Sequence, residues 1–288
     1  DWIFDTRVDQ PEIEIDGKKY RREEDTFDTW FSSGQWPYIV TDALTDGDLA
    51  RFYPSAYMET GRDLLKQWVA RIIMRGLYRT GDVQSKTGYM HGMVNDEKNQ
   101  KMSKSKGNVI NPMDVLAEYG SDALRMGIIS GRSAGQDQAF ATTKVVAGRN
   151  FCNKLWNMAR YIEDKVDTFD DRLPAPSTTA DHWVIRQLND AAEQVSKLLD
   201  DYRYADAVDS VYHVIWDDVA DWYLESSKES SGEGMLAWVL ETCLKLAHPF
   251  APFVTETIWT TLKFDQTLLI RSAWPEQVSY DAIAAAEF

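Results

Sequence analysis

Cysteine and histidine are scarce in this 288-residue sequence, and it has neither a long apolar run nor an excess of basic charge. Its two cysteines, Cys152 and Cys243, lie far apart inside apolar helical patterns. That excludes a disulfide framework and reads as two small buried hydrophobes in a reducing compartment. No zinc-type ligand pair is present, so no metal site is expected. No apolar stretch approaches membrane-spanning length, and Asp1-Trp2-Ile3-Phe4-Asp5 lacks the basic, apolar and cleavage regions of a signal peptide. A soluble, cytoplasmic protein is expected. The 31 basic and 46 acidic residues leave a net charge of −15, which opposes broad non-specific binding to nucleic acid, so such a partner has to dock on local basic patches. The Gly-x-x-x-x-Gly-Lys-Ser/Thr phosphate loop is missing too, which sets aside a P-loop nucleotide-binding protein.

What is present is ordinary globular material, 44% hydrophobic and 27% charged, at a length that suggests two domains. The stretch Lys101-Met102-Ser103-Lys104-Ser105-Lys106-Gly107-Asn108 stands out as an anion clamp. Ammonium groups supply charge, hydroxyls and backbone N–H groups supply short-range donors, and glycine lets the chain turn. A solvated basic loop has the same composition, so the neighbouring sequence has to decide.

Residues 11–20 alternate apolar and charged around Asp16-Gly17, which predicts a hairpin. The aromatic stretch from Asp25 to Tyr38 is read as the wall of a pocket or a Trp-rich core corner. Thr60 and Asp63 suggest a capping box opening a helix that carries Leu64, Leu65, Trp68, Val69, Ile72 and Ile73 to Gly81. Thr87 to Val94 reads as a buried strand whose glycines allow close backbone approach, and 95–99 as a turn. The lysine stretch thus begins beyond a strand end, where open α/β sheets bind ligands. Asn111-Pro112 starts one short helix and Gly120 ends it; Ser121 is expected to cap the next.

Past Phe140 only helices are predicted. Their apolar stripes are Gly148, Cys152, Leu155, Trp156, Ala159 and Ile162; Val184 to Leu198; Val208 to Tyr223; Leu236 to Leu244; and Ile258, Trp259 and Leu262. The expected architecture is an α/β piece over 1–140, a helical bundle over 141–265 and a trailing segment over 266–288.

Lys101-Met102-Ser103-Lys104-Ser105, preceded by His91-Gly92-Met93-Val94 and followed by a helical bundle, closely resembles the class I aminoacyl-tRNA synthetases. Asp28-Thr29-Trp30-Phe31-Ser32-Ser33, Glu59-Thr60-Gly61 to Asp63, Trp68-Val69-Ala70-Arg71, 131–137 and Arg149 to Asn157 are similar to the valine-specific members. The resemblance implies the second half of a Rossmann-like catalytic domain followed by an anticodon-binding bundle. It implies as substrates valine, tRNA(Val) and ATP with Mg2+, and a monomeric parent. On it, Lys104 and Lys101 are the catalytic candidates. Met102, Ser103, Ser105, Gly61, Asp63, His91, Gly92, Met93 and Val94 are candidates for ATP binding, and Trp30 and Trp68 for the valine pocket. Arg149, Lys154 and Arg160 are candidates for tRNA phosphate, although their spacing is also that of any solvated helix face.

The sequence departs from the family pattern in one signature. His-Ile-Gly-His is absent, since none of His91, His182, His213 and His248 has a histidine three residues away. The inserted editing domain is absent as well, and the chain is expected to be a fragment that does not activate valine alone. The competing expectations are an isoleucine-specific relative, disfavoured by the Trp-Phe-Ser-Ser run, and a non-catalytic tRNA-binding module derived from a synthetase.

Overall fold

The computed structural model describes residues 3–5, 9–44, 46–131, 134–169, 174–228 and 232–288. Arg132 and Ser133 of the 131–137 motif, Asp1 and Trp2, and residues 170–173 of the loop before the second bundle helix lie outside them. The chain divides into two compact units, Asp1–Gly88 and Tyr89–Phe288.

The first unit opens on the expected hairpin, β1 (Glu12–Ile15) paired antiparallel with β2 (Lys18–Arg21), Ile15 opposite Lys18. Asp16 and Gly17 both take positive φ, 49° and 73°, the conformation a two-residue turn needs to match strand twist. The aromatic stretch forms two short helices, α1 (Thr29–Ser33) and α2 (Trp36–Leu44), followed by α3 (Asp48–Phe52). Asp28 caps α1, its carboxylate accepting from the Trp30 amide at 2.9 Å. Strand β3 (Ser55–Gly61) pairs with β4 (Ser85–His91), starting from the Ser55 amide on the Gln84 carbonyl.

The expected capping box does not form. Thr60 is buried inside β3, which runs on to Gly61, and the helical segment enters from Gly61 without a side-chain cap. A tight 3-10 turn (Arg62–Leu64) leads into a wide π-helical stretch (Leu65–Val69) and then α4 (Ala70–Thr80), which Gly81 ends in the left-handed region. Gly76 lets α4 pass close to Tyr53, whose hydroxyl donates to the Asp82 carbonyl at 3.1 Å.

In the second unit β5 (Val94–Asn95) pairs in parallel with β6 (Gln138–Ala139). The strand expected over 87–94 in fact covers Ser85–His91 and is only half-buried. It stops where Gly92 lies against another backbone. Helix α5 (Pro112–Tyr119) starts as expected, with Asn111 accepting from the Met113 amide and proline in the first turn. Ser121 is not a cap: Gly120, at φ 88°, both ends α5 and opens α6 (Ser121–Ile129).

The bundle consists of α7 (Thr142–Glu163), α8 (Thr179–Asp200), α9 (Tyr204–His213) continued by a π-helical run (Val214–Tyr223) and α10 (Leu224–Ser226), then α11 (Glu233–Ala247) and α12 (Pro252–Leu262). A short α13 (Ala282–Glu287) follows. One continuous core holds these helices, with Phe151, Leu155, Ile162, Val184, Leu188, Val195, Ile215, Tyr223, Leu240 and Leu244 essentially sealed from water. Two tryptophans assigned to apolar stripes lie outside that core: Trp156 is 40% and Trp222 63% exposed. Trp156 falls beside the narrow face that Phe151, Leu155, Met158 and Ile162 define. In the π run, hydrogen bonds span five residues instead of four, which rotates the register and brings Tyr223 inward instead of Trp222.

Buried polar groups fix the helix ends. Asp181 completes a capping box with Thr178 and also accepts from the Tyr223 hydroxyl at 2.9 Å. Asp122, on α6, accepts from the Phe253 and Val254 amides at the start of α12, at 3.2 and 2.7 Å. Arg125 of the same helix donates to the Pro249 and Phe250 carbonyls. Acidic charge at a helix N-terminus is favourable, so this contact ties α6 to the bundle.

Candidate functional site

The lysine stretch forms a compact turn. After Lys101, which bridges to Asn95, the chain extends through Met102 and Ser103 and closes in a 3-10 turn over Lys104–Lys106, with Gly107 left-handed at φ 66°. Nothing lies within 4 Å of where a Gly107 Cβ would stand, so glycine is required there by backbone conformation alone. Lys101, Lys104, Ser105 and Lys106 are exposed, while Met102 and Ser103 are half-buried. The Ser103 and Ser105 hydroxyls are 3.3 Å apart, and the Met102 sulfur accepts from the Ile110 amide. Three ammonium groups and two hydroxyls therefore share one short turn.

That turn is held from the side by Asp96, from the turn expected over 95–99, and by Asn108, the last residue of the lysine stretch itself. Asp96 accepts the Lys98 and Gln100 amides through Oδ1, at 3.0 and 2.7 Å, and the Asn108 side-chain amide through Oδ2 at 2.8 Å. Asn108 in turn accepts the Ser103 amide at 3.0 Å and donates to the Lys101 carbonyl at 3.3 Å. The Asn108 hydrogen bond and then the backbone donors hold the Asp96 carboxyl below the usual carboxylate range. Asp-x-x-x-Gln and Gly-Asn are each common turn material, and twelve residues separate the pair, so no local periodicity connects them.

The second group of candidates meets the chain again at 135–138. Gly92 is buried, and an added Cβ would stand 1.6 Å from the Gln136 carbonyl oxygen. Here the expected close backbone approach is realised, with Gly135 N on Met90 O, Met93 N on the Asp137 carboxylate at 2.8 Å, and Gln138 N on Met93 O. Val94 follows as the first residue of β5. His91 is half-buried at the end of β4, its Nδ1 donating to the Gly92 carbonyl at 2.8 Å, which fixes the tautomer with hydrogen on Nδ1. The Met90–Val94 backbone is thereby pinned at a chain crossing, leaving a short parallel strand pair beyond it.

In the first unit Trp30 and Trp68 are both half-buried, and the Trp68 indole N–H donates to the Ser33 carbonyl at the end of α1. The Arg71 guanidinium lies over the Trp30 ring at 5.6 Å, and Arg75 stacks on Phe31 at 3.9 Å while donating to the Phe31 carbonyl. Gly34 leaves room for the Arg75 stem. Gly61 is buried and extended at the turn into the π-helical stretch, with Asp63 exposed in that turn. These residues lie together around α1 and the start of α4.

The three bundle cations differ in surroundings. Lys154 is engaged, its ammonium 2.6 Å from Asp221 and 5.2 Å from the Trp216 ring centre. Arg149 lies over the Tyr119 ring and lines an open cavity of about 400 Å³ with Asp122, Cys152 and Phe253. Arg160 is exposed. Of the two cysteines expected to be buried, Cys243 is sealed in the core while Cys152 is half-buried at that cavity; burial pushes the Cys152 thiol up to about 12 and raises that of Cys243 further, which disfavours the thiolate at both. Among the described residues no group of three or more His, Cys, Asp or Glu is placed to hold a metal ion, and no helix is long and apolar enough to cross a membrane.

Comparison with known proteins agrees with this layout. Residues 5–141 match the family model of class I tRNA synthetases (I, L, M and V), and residues 181–288 match the anticodon-binding domain of tRNA ligases. The valine--tRNA ligase of Lactiplantibacillus plantarum is 40% identical over 285 residues, and that of Geobacillus stearothermophilus 39% over 276. Each alignment covers 91% of this chain but only 32% and 31% of the relative, so the chain spans about a third of the relatives' length. Among solved structures, the fold is similar to LeuRS of Agrobacterium radiobacter K84 in a complex with tRNA and LeuAMS, with TM-score 0.78 and 20% identity over 93% of this chain and 36% of that one. It is also similar to Mycobacterium tuberculosis methionyl-tRNA synthetase with methionyl-adenylate, with TM-score 0.62 and 18% identity over 77% and 47%. A Rossmann-like portion followed by a helical anticodon-binding domain, with two family models across most of its length, places this chain in the class I aminoacyl-tRNA synthetases.

Proposed function

We propose that this chain is part of a valine--tRNA ligase, and that its lysine turn engages the phosphates of ATP while valine is activated to valyl-adenylate and passed to tRNA(Val). The observation that carries the proposal is the braced turn itself, which gathers Lys101, Lys104 and Lys106 with Ser103 and Ser105 on one short exposed segment. When the valine carboxylate attacks the α-phosphate, negative charge grows on the phosphoryl oxygens and on departing pyrophosphate. An ammonium that meets this charge better in the transition state than in the ground state lowers the barrier. Lys104, at the head of the 3-10 turn, has that role, with Lys101 supporting and the serine hydroxyls bonding phosphate. Magnesium arrives as the counter-ion of the nucleotide substrate.

The pinned backbone of His91 to Val94 offers N–H and carbonyl groups to adenine, and Gly61 and Asp63 serve the ribose, a carboxylate accepting from its hydroxyls. Trp30 and Trp68 wall the valine side chain, their mutual placement set by the Ser33 carbonyl and Arg71. Arg149 and Arg160 face tRNA phosphate, and Lys154 joins them once its Asp221 partner yields. The catalytic region and bundle act in the cytoplasm as a monomer. The named relatives favour valine over isoleucine, and a hydrophobic pocket separates valine from threonine only about a hundredfold, valyl-tRNA synthetase being the standard example. The test is ATP–pyrophosphate exchange by the complete ligase that contains these residues. Exchange driven by valine in preference to isoleucine supports the reading, and the reverse preference overturns it.

A further inference from the structure

We infer that Asp96 and Asn108 form a positioning pair whose side-chain contact holds the lysine turn in the shape that meets phosphate. The inference rests on the proposed nucleotide role of the turn and adds two residues that do not themselves touch substrate. Beside the pair, the segment is held at its ends by the Lys101–Asn95 bridge and by the Ile110 amide on the Met102 sulfur. Within the turn lie two short-range backbone bonds, Lys106 N on Ser103 O and Gly107 N on Lys104 O, both at 3.2 Å. A single 3-10 turn of three exposed residues is marginal in water, because few bonds offset the conformational freedom lost. The segment is closed instead by Asn108, which binds the chain on both sides of Met102, accepting the Ser103 amide and donating to the Lys101 carbonyl.

The same Asn108 amide nitrogen is also held by Asp96, at the shorter distance of 2.8 Å. Asp96 is anchored by the backbone of its own turn, through the Lys98 and Gln100 amides and through the Asp96 amide on the Gln100 carbonyl at 2.8 Å. Chemistry fits the two residues to these places. Asp96 meets only donors, so a carboxylate suits it. Asn108 must donate toward Asp96 and Lys101 and accept from Ser103, which only an amide does. A hydrogen bond to an ionised group is about twice as strong as a neutral one, so the contact carries more than its length suggests. The three lysines are exposed while Asp96 and Asn108 are half-buried, and a bound polyphosphate would meet a turn already ordered, reducing the entropy lost on binding.

The test uses the 288-residue chain with Asp96→Asn, Asn108→Asp and the double swap. In the swap the amide at 96 donates to a carboxylate at 108 that still accepts the Ser103 amide, so the central contact is remade with roles exchanged. Amide hydrogen exchange of the segment 101–108 and titration with MgATP and with inorganic pyrophosphate are measured on each. Expected are exchange about tenfold faster and binding about tenfold weaker in each single variant, of the order set by one charged hydrogen bond, with both partly restored in the swap, where the 96–108 contact is remade but the Lys101 carbonyl loses its donor. Rescue by exchange of the partners shows that the two side chains act through each other, and a merely structural role would move exchange while leaving binding unaltered. Unchanged exchange in the single variants overturns the inference, as does altered exchange with unaltered binding. If the unsubstituted chain binds neither ligand, the nucleotide reading fails by itself, and the exchange data with the swap still decide whether the pair sets the turn.

Discussion

Replacing Gly92 by alanine isolates one consequence of the chain crossing. Gly92 has no left-handed φ, so its backbone tolerates any residue. Conformation alone would make Gly92→Ala stabilising by about 0.4–1 kcal/mol, through loss of freedom in the unfolded chain. Space gives the opposite sign. The added Cβ would stand 1.6 Å from the Gln136 oxygen, 2.0 Å from its carbonyl carbon and 2.6 Å from the Asp137 nitrogen. All three atoms are backbone, so no side-chain rotation relieves the clash, and the two segments must separate by about 2 Å to restore ordinary contact. Overpacking costs about 1–3 kcal/mol. The movement also strains the bonds that straddle Gly92, from Gly135 to Met90, Met93 to Asp137 and Gln138 to Met93, and losing two adds about 2 kcal/mol. Less the conformational gain, the net cost is about 2–5 kcal/mol. For a unit of this size each kcal/mol lowers Tm by about 2–4 °C, so differential scanning calorimetry should show a drop of about 10 °C. An unchanged or raised Tm would refute the close approach.

Three further outcomes follow from groups outside the turn. Asp122→Ala removes the acceptor of the Phe253 and Val254 amides and should cost about 2–3 kcal/mol, with Asp122→Asn milder; urea unfolding measures both. Cys243, sealed in the core with its thiol raised by burial, should resist iodoacetamide at pH 8 in the folded chain and react after unfolding; quick labelling of Cys243 in the native protein would contradict its burial. His248 lies within the bundle, where burial depresses its pKa below 6.5 against the opposing pull of Glu256 and Asp122. Its folded pKa being the lower one, its contribution is complete above 6.5 and falls as pH drops below that value toward the folded pKa. A His248→Gln variant should flatten that part of the stability profile.

Much of the fold was readable because it follows local rules. The hairpin at Asp16-Gly17, the Asn111-Pro112 helix start, the Gly81 stop and the core stripes of α8 and α11 need only turn chemistry and a 3.6-residue period. The misses arise where tertiary structure overrides those rules. Thr60 looks like a cap but belongs to a strand that continues through it, and Trp222 follows the α-helical period until a π run shifts the register. At the site, the lysines were legible as residue types in a motif, whereas their brace was not. Asp96 and Asn108 meet only because the chain folds back over twelve residues, and the Asp137 contact to Met93 spans forty-four. The value of a glycine for close approach was readable at Gly92, but the segment it approaches was not.

The proposed chemistry is tested most directly by valine-dependent ATP–pyrophosphate exchange in the complete ligase carrying Lys104→Ala, measured against Arg160→Ala. The account predicts that Lys104→Ala lowers kcat by about a hundredfold or more, the scale of losing one donor to a developing oxyanion, with a smaller change in the KM for valine and no change in kcat for Arg160→Ala. A Lys104→Ala enzyme with unaltered kcat would contradict it.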